Sequence, residues 1–118
     1  MYGVPANLDL TAFNEATLIE VGLGEFIIQL RFHPVGTIGV EGGWELRDAN
    51  GSILDTAARN ARPDAYRVHV ILGKQVKAFS VTPPHSFSLE FETGHVLTIF
   101  DDSQQFESFS IQPGNIFI

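Results

Sequence analysis

The chain contains no cysteine, which excludes disulfides, thiolate metal ligands and a cysteine nucleophile together. It holds no apolar run approaching the roughly 18 residues that a membrane-spanning helix needs, so no membrane partner is expected. Cations are also scarce: seven Lys and Arg stand against 14 Asp and Glu, for a net charge of −7. A nucleic-acid binder needs cations to displace counterions from phosphate, so nucleic acid is not an expected partner. Residues Met1 to Asn7 have neither the basic nor the apolar stretch of a secretory leader, and cytoplasm is the expected location. Asn50-Gly51-Ser52 then reads as a turn rather than a glycosylation site.

What is present points to one folded domain over residues 1–118. A chain of this length buries roughly two-thirds of its unfolded surface and needs no metal or disulfide to hold it. Ten Phe against two Tyr and one Trp indicate a dry, aromatic-rich core. The charge is uneven. Residues 1–58 carry a net −6, residues 78–118 a net −5, and residues 59–77 a net +4 from Arg59, Arg62, Arg67, Lys74 and Lys77 against Asp64.

Period-two patterning dominates. Ile19, Val21 and Leu23 alternate along the first strand. Phe26, Ile28, Leu30 and Phe32 share one face of the next, with Ile27, Gln29 and Arg31 on the other. Ile38 and Val40 follow the turn His33-Pro34-Val35-Gly36, then Trp44 and Leu46, then the hairpin turn Asp48-Ala49-Asn50-Gly51 and a short strand over 52–54. Residues 56–63 read as a loop. Tyr66, Val68, Val70 and Leu72 alternate, yet Pro63 and Gly73 suit the start and end of a helix, and a short helix is expected over 64–72. Strands over 76–81, 86–92, 95–100 and 107–111 complete the pattern, and Ile116-Phe117-Ile118 ends the chain.

The two halves match. Phe87, Leu89 and Phe91 lie 59 residues after Ile28, Leu30 and Phe32; Leu97 and Ile99 lie 59 after Ile38 and Val40; Phe79 and Val81 lie 58 after Val21 and Leu23. The expected architecture is mostly β with one short helix. An internal duplication, about 17–54 and 76–112, is joined by a loop and helix over about 56–73. Each half is an antiparallel meander, and the two pack as a sandwich or a barrel-like body.

The run Phe87-x-Leu89-x-Phe91-Glu92-x-Gly94-His95-x-Leu97-x-Ile99, followed by Asp101-Asp102-Ser103-x-x-Phe106-Glu107-Ser108, resembles a family of small bacterial proteins known only as domains of unknown function. Gly42-x-Trp44-x-Leu46-x-Asp48 is compatible with it, so the resemblance covers most of the chain. Related small β proteins occur in immunity to contact-dependent toxins. The resemblance carries over no catalytic residues.

Few constellations carry chemistry. His33 and His95 lie at corresponding turns, with Asp101 and Asp102 one strand beyond His95. None of the four histidines has the HxH or HxxxH spacing that presents two ligands from one element, so no metal is expected. Asp101, Asp102 and Glu107 form the densest acidic cluster and could split acid and base roles if buried together, but neighbouring residues on a strand face opposite ways. Gly22-Leu23-Gly24 lacks the third glycine and following helix of a dinucleotide loop. Asp48 to Gly51 lacks the acidic ligands of a calcium loop. Trp44, preceded by Gly42 and Gly43, suits a core position, a pocket wall or a partner contact.

The leading expectation is a non-enzymatic binding domain, of a toxin-immunity or regulatory kind, whose acidic surface meets a basic protein; a homodimer through the C-terminal strand is a further possibility. The alternatives are a carrier of small apolar ligands with a pocket near Trp44, and a hydrolase using His95 with Asp101, Asp102 or Glu107. The candidate site residues are thus Trp44, His95, Asp101, Asp102 and Glu107, with no cofactor.

Overall fold

Alternation of apolar and polar side chains makes strand the dominant structure of the described residues. The computed structural model describes residues 9–24, 27–40, 43–57, 68–83, 85–100, 109–112 and 116–117. Its strands are β1 (Thr17–Leu23), β2 (Ile28–His33), β3 (Gly36–Val40), β4 (Trp44–Arg47), β5 (Ile53–Ala57), β6 (Val76–Thr82), β7 (Ser86–Phe91), β8 (Val96–Phe100), β9 (Phe109–Gln112) and β10 (Ile116–Phe117). They form two antiparallel five-stranded sheets, ordered β1-β2-β3-β9-β10 and β5-β4-β8-β7-β6. The sheets pack as a sandwich and do not close into a barrel. The isolated bridge between Thr17 and Gln75 links the start of β1 to the approach to β6.

Each half therefore divides itself. The meander β1-β2-β3 fills most of one sheet while the hairpin β4-β5 crosses to the other, and β6-β7-β8 and β9-β10 do the converse. Pairing registers correspond throughout. Val21 opposes Leu30 as Phe79 opposes Leu89, Ile28 opposes Val40 as Phe87 opposes Ile99, and Ile38 opposes Ile111 as Leu97 opposes Leu46. A bulge displaces Ile19 from the β1 ladder and Lys77, 58 residues later, from the β6 ladder.

The correspondence extends ahead of the strands. A 3-10 turn at Thr11–Phe13 precedes β1 and another at Val68–Ile71 precedes β6. After them Glu15 and Gly73 both take positive φ, 69° and 81°. Leu18 N–H donates to Lys74 O as Val76 N–H donates to Ala16 O, and Gly73 N–H donates to Leu18 O as Glu15 N–H donates to Val76 O. These reciprocal bonds flank the Thr17–Gln75 bridge, which places a local two-fold relation there.

The core lies between the sheets. Leu18, Ile28, Leu30, Phe32, Ile38 and Val40 from one sheet meet Trp44, Leu46, Val76, Phe87, Leu89, Phe91, Leu97 and Ile99 from the other. Full burial of such a side chain stabilises by about 1.5–3 kcal/mol. Phe13 and Phe32 meet edge to face with centroids 5.3 Å apart, which ties the first 3-10 turn to β2.

Three sequence expectations need correction. In its described part, the segment expected as a helix over 64–72 forms only the single 3-10 turn Val68–Ile71; residues 58–67 lie outside the described residues. Val68 and Ile71 are the buried residues of that turn, and a spacing of three satisfies one tight turn with no need of a longer helix. In β1, of the expected inward residues Ile19, Val21 and Leu23, only Val21 packs against the core. Leu18 is buried, the bulge leaves Ile19 at 52% exposure, and Leu23 at the strand end is 53% exposed. The strand expected over 52–54 runs on to Ala57. Ile116 and Phe117 pair with β9 of their own chain.

Candidate functional site

Trp44 points from β4 into the core at 4% exposure, opposite Ile99 on β8, and its carbonyl accepts from Thr56 Oγ1 at 3.3 Å. His95 sits half-buried in the β7–β8 turn. Its Nδ1 lies 2.6 Å from Thr93 Oγ1, and its carbonyl accepts from Phe91 N–H at 2.8 Å. The described hydrogen bonds of its ring are thus spent on the turn itself. Asp101, Asp102 and Glu107 lie outside the described residues. His33, His69 and His85 are exposed. Among the described residues no group of three or more His, Asp or Glu is placed to hold a metal ion.

Sequence patterning passes over two carboxylates. Asp55, at 7% exposure, is the buried charged side chain among the described residues. From β5, opposite Leu46, its Oδ2 accepts the N–H of Val68 at 3.0 Å, tying the 3-10 turn to the sheet. The only signal available was an inward strand position occupied by an acid. The second is Glu90, half-buried on the outward face of β7.

Glu90 belongs to a groove created by the β6 bulge. An extra residue in one strand bends and twists it locally, and on the outer face this leaves a hollow of about 260 Å³ lined by Ala78, Phe79, Ser80, Ser88, Glu90 and Val96. The β1 bulge produces a smaller hollow of about 110 Å³ at the corresponding place on the other sheet, lined by Glu20, Gly22, Gln29, Arg31 and Thr37. The registers make these linings counterparts: Glu20 opposes Arg31 as Ala78 opposes Glu90. In the first, Arg31 Nε meets Glu20 Oε1 at 3.2 Å, so the charge is neutralised on the spot. In the second, the position opposite Glu90 is an alanine.

Elsewhere on the described surface the acid excess persists. Arg47 is engaged by Glu45 at 2.6 Å and by the Gly51 carbonyl at 2.7 Å. Asp48 accepts from the N–H groups of Asn50 and Ser52 in the β4–β5 turn. Asp9 accepts from both the hydroxyl and the N–H of Thr11. The hydroxyl bond first, then the backbone bond, hold its carboxyl below the ordinary value of 3.8. No helix among the described residues is long and apolar enough to cross a membrane. Compared with family models, curated proteins and solved structures, the chain matches none.

Proposed function

We propose that the chain is a duplicated β module of the cytoplasm, a member of the small bacterial family its second half resembles. In this reading it works without catalysis, as a toxin-immunity-like or regulatory domain that binds a protein with a basic surface. The duplication is supported by the corresponding registers, bulges and 3-10 turns of the two halves. The observation that carries the binding reading is electrostatic. Both described arginines are occupied by carboxylates, Arg31 by Glu20 and Arg47 by Glu45, while Glu15, Glu90 and Glu92 face outward without an ion pair among the described residues. A surface with surplus negative charge accelerates encounter with a basic protein and repels acidic ones.

The test is native mass spectrometry of the tagged chain purified from its source cells, followed by association kinetics with the polypeptide that accompanies it. A basic partner whose association rate falls steeply as salt is raised is the expected result. A rate that does not respond to salt refutes the reading.

A further inference from the structure

Resting on that reading, we propose that the groove over the β6 bulge is the point of contact and that it takes an arginine side chain of the partner. Four observations converge on it. The groove is concave, about 260 Å³, on the outward face of the β6-β7-β8 meander. Glu90 is half-buried in its lining and makes no ion pair among the described residues. Lys77, the exposed bulge residue beside Ala78, does not engage it either. The counterpart groove on the other sheet, built on the same register, satisfies its own charge through Glu20 and Arg31.

The lining selects guanidinium over ammonium. Glu90 offers carboxylate oxygens, and Ser80 and Ser88, paired across the ladder one step along the groove, add hydroxyl acceptors. Ser88 Oγ is 3.0 Å from Thr98 Oγ1, which holds its position. A guanidinium presents five donors in a planar fork and can bond carboxylate and hydroxyls together. Ala78 and Val96 supply apolar wall, and the weakly hydrated guanidinium loses less than an ammonium on leaving water against such a surface. Arg31 on the other sheet already makes the equivalent pairing within the chain, with a glutamate directly across the ladder.

The probe is the capped peptide Gly-Arg-Gly, titrated into the full chain and followed by backbone amide NMR, with the citrulline peptide as its neutral isostere. Shifts are expected to centre on Ser80, Ser88, Glu90 and Val96, and to be absent with citrulline. Glu90→Gln is expected to weaken binding about fivefold with the melting temperature unchanged, because the side chain faces outward. Ala78→Arg, which places a cation directly across from Glu90, is expected to abolish binding. Equal affinity in Glu90→Gln, shifts centred on Gln29, Arg31 and Thr37, or no shift at any residue each overturns the assignment. The broader reading fails separately, on a salt-independent association rate, so the two failures are distinguishable.

Discussion

Gly94 tests whether the two hairpin turns at one end of the β5-β4-β8-β7-β6 sheet are in contact. Its φ is +92°, and a Cβ built on it falls 2.7 Å from Ala49 Cβ and 3.3 Å from Ala49 Cα. Ala49 is held in the β4–β5 turn. Asp48 Oδ1 accepts the N–H groups of Asn50 and Ser52 at 2.9 and 3.0 Å, and Asp48 N–H donates to Ser52 O at 2.9 Å. Gly94→Ala therefore meets two costs. A left-handed backbone costs a residue with a Cβ about 1–2 kcal/mol, and forcing a methyl into a filled space costs about 1–3 kcal/mol more. Gly51 is the control, because its φ is +86° and nothing lies within 4 Å of its added Cβ. Gly51→Ala should thus lose only the backbone part, while Gly94→Ala loses about 2–5 kcal/mol. Urea unfolding followed by the fluorescence of buried Trp44 reads the difference. Adding Ala49→Gly should recover most of the excess in the Gly94→Ala background, a coupling that a double-mutant cycle isolates. Equal destabilisation by Gly94→Ala and Gly51→Ala, or no coupling to position 49, would refute the contact.

Two further outcomes follow from carboxylates that accept hydrogen bonds. Asp55→Ala leaves the Val68 N–H without its 3.0 Å acceptor and should cost about 1–3 kcal/mol in chemical unfolding; Asp55→Asn, which keeps an acceptor oxygen, should cost less, and an equal loss would count against the assigned bond. Asp9 has a folded pKa below its ordinary 3.8, so its contribution to stability is present above that value and disappears as pH falls through the folded one; a carbon-detected titration should show Thr11→Val returning the Asp9 carboxyl toward 3.8, and an unmoved midpoint would sink the attribution to Thr11.

The strands that were legible in the sequence are those with one face sealed and one wet. Ile28, Leu30 and Phe32, and Phe87, Leu89 and Phe91, alternate strictly because every second position meets the opposite sheet. Gly73 was legible as a terminator because its φ of +81° favours glycine. The bulges were not, since Ile19 and Lys77 share no chemistry and a bulge answers to the twist of the whole sheet. That one unrecognised residue reversed the inward face assigned to the start of β1. The β6 bulge likewise hid Glu90, whose surroundings depend on which residue lies across a shifted ladder. His95 and Trp44 stood out by residue type, yet the structure occupies one with its own turn and the other with the core. Residue type marks chemical capability, whereas availability depends on neighbours that no local pattern encodes.

The correspondence between the halves separates what folding demands from what it leaves open. At inward positions the counterparts conserve apolar character: Leu18 with Val76, Leu30 with Leu89, Ile38 with Leu97. Those pairs answer to one constraint, the filling of a shared core at interior packing density. At the outward positions flanking the bulges the counterparts differ in kind. Glu20 stands where the other half has Ala78, Gly22 where it has Ser80, and Arg31 where it has Glu90. An exposed ion pair such as that of Arg31 and Glu20, with side chains 62% and 58% exposed, contributes only about 0–1 kcal/mol, so stability does not require either arrangement. Two grooves with the same backbone origin, one self-neutralised and one left with a single half-buried carboxylate, are thus equivalent for folding and unequal for recognition. That inequality is why the proposed contact is placed on the face of β6, β7 and β8 rather than on its counterpart.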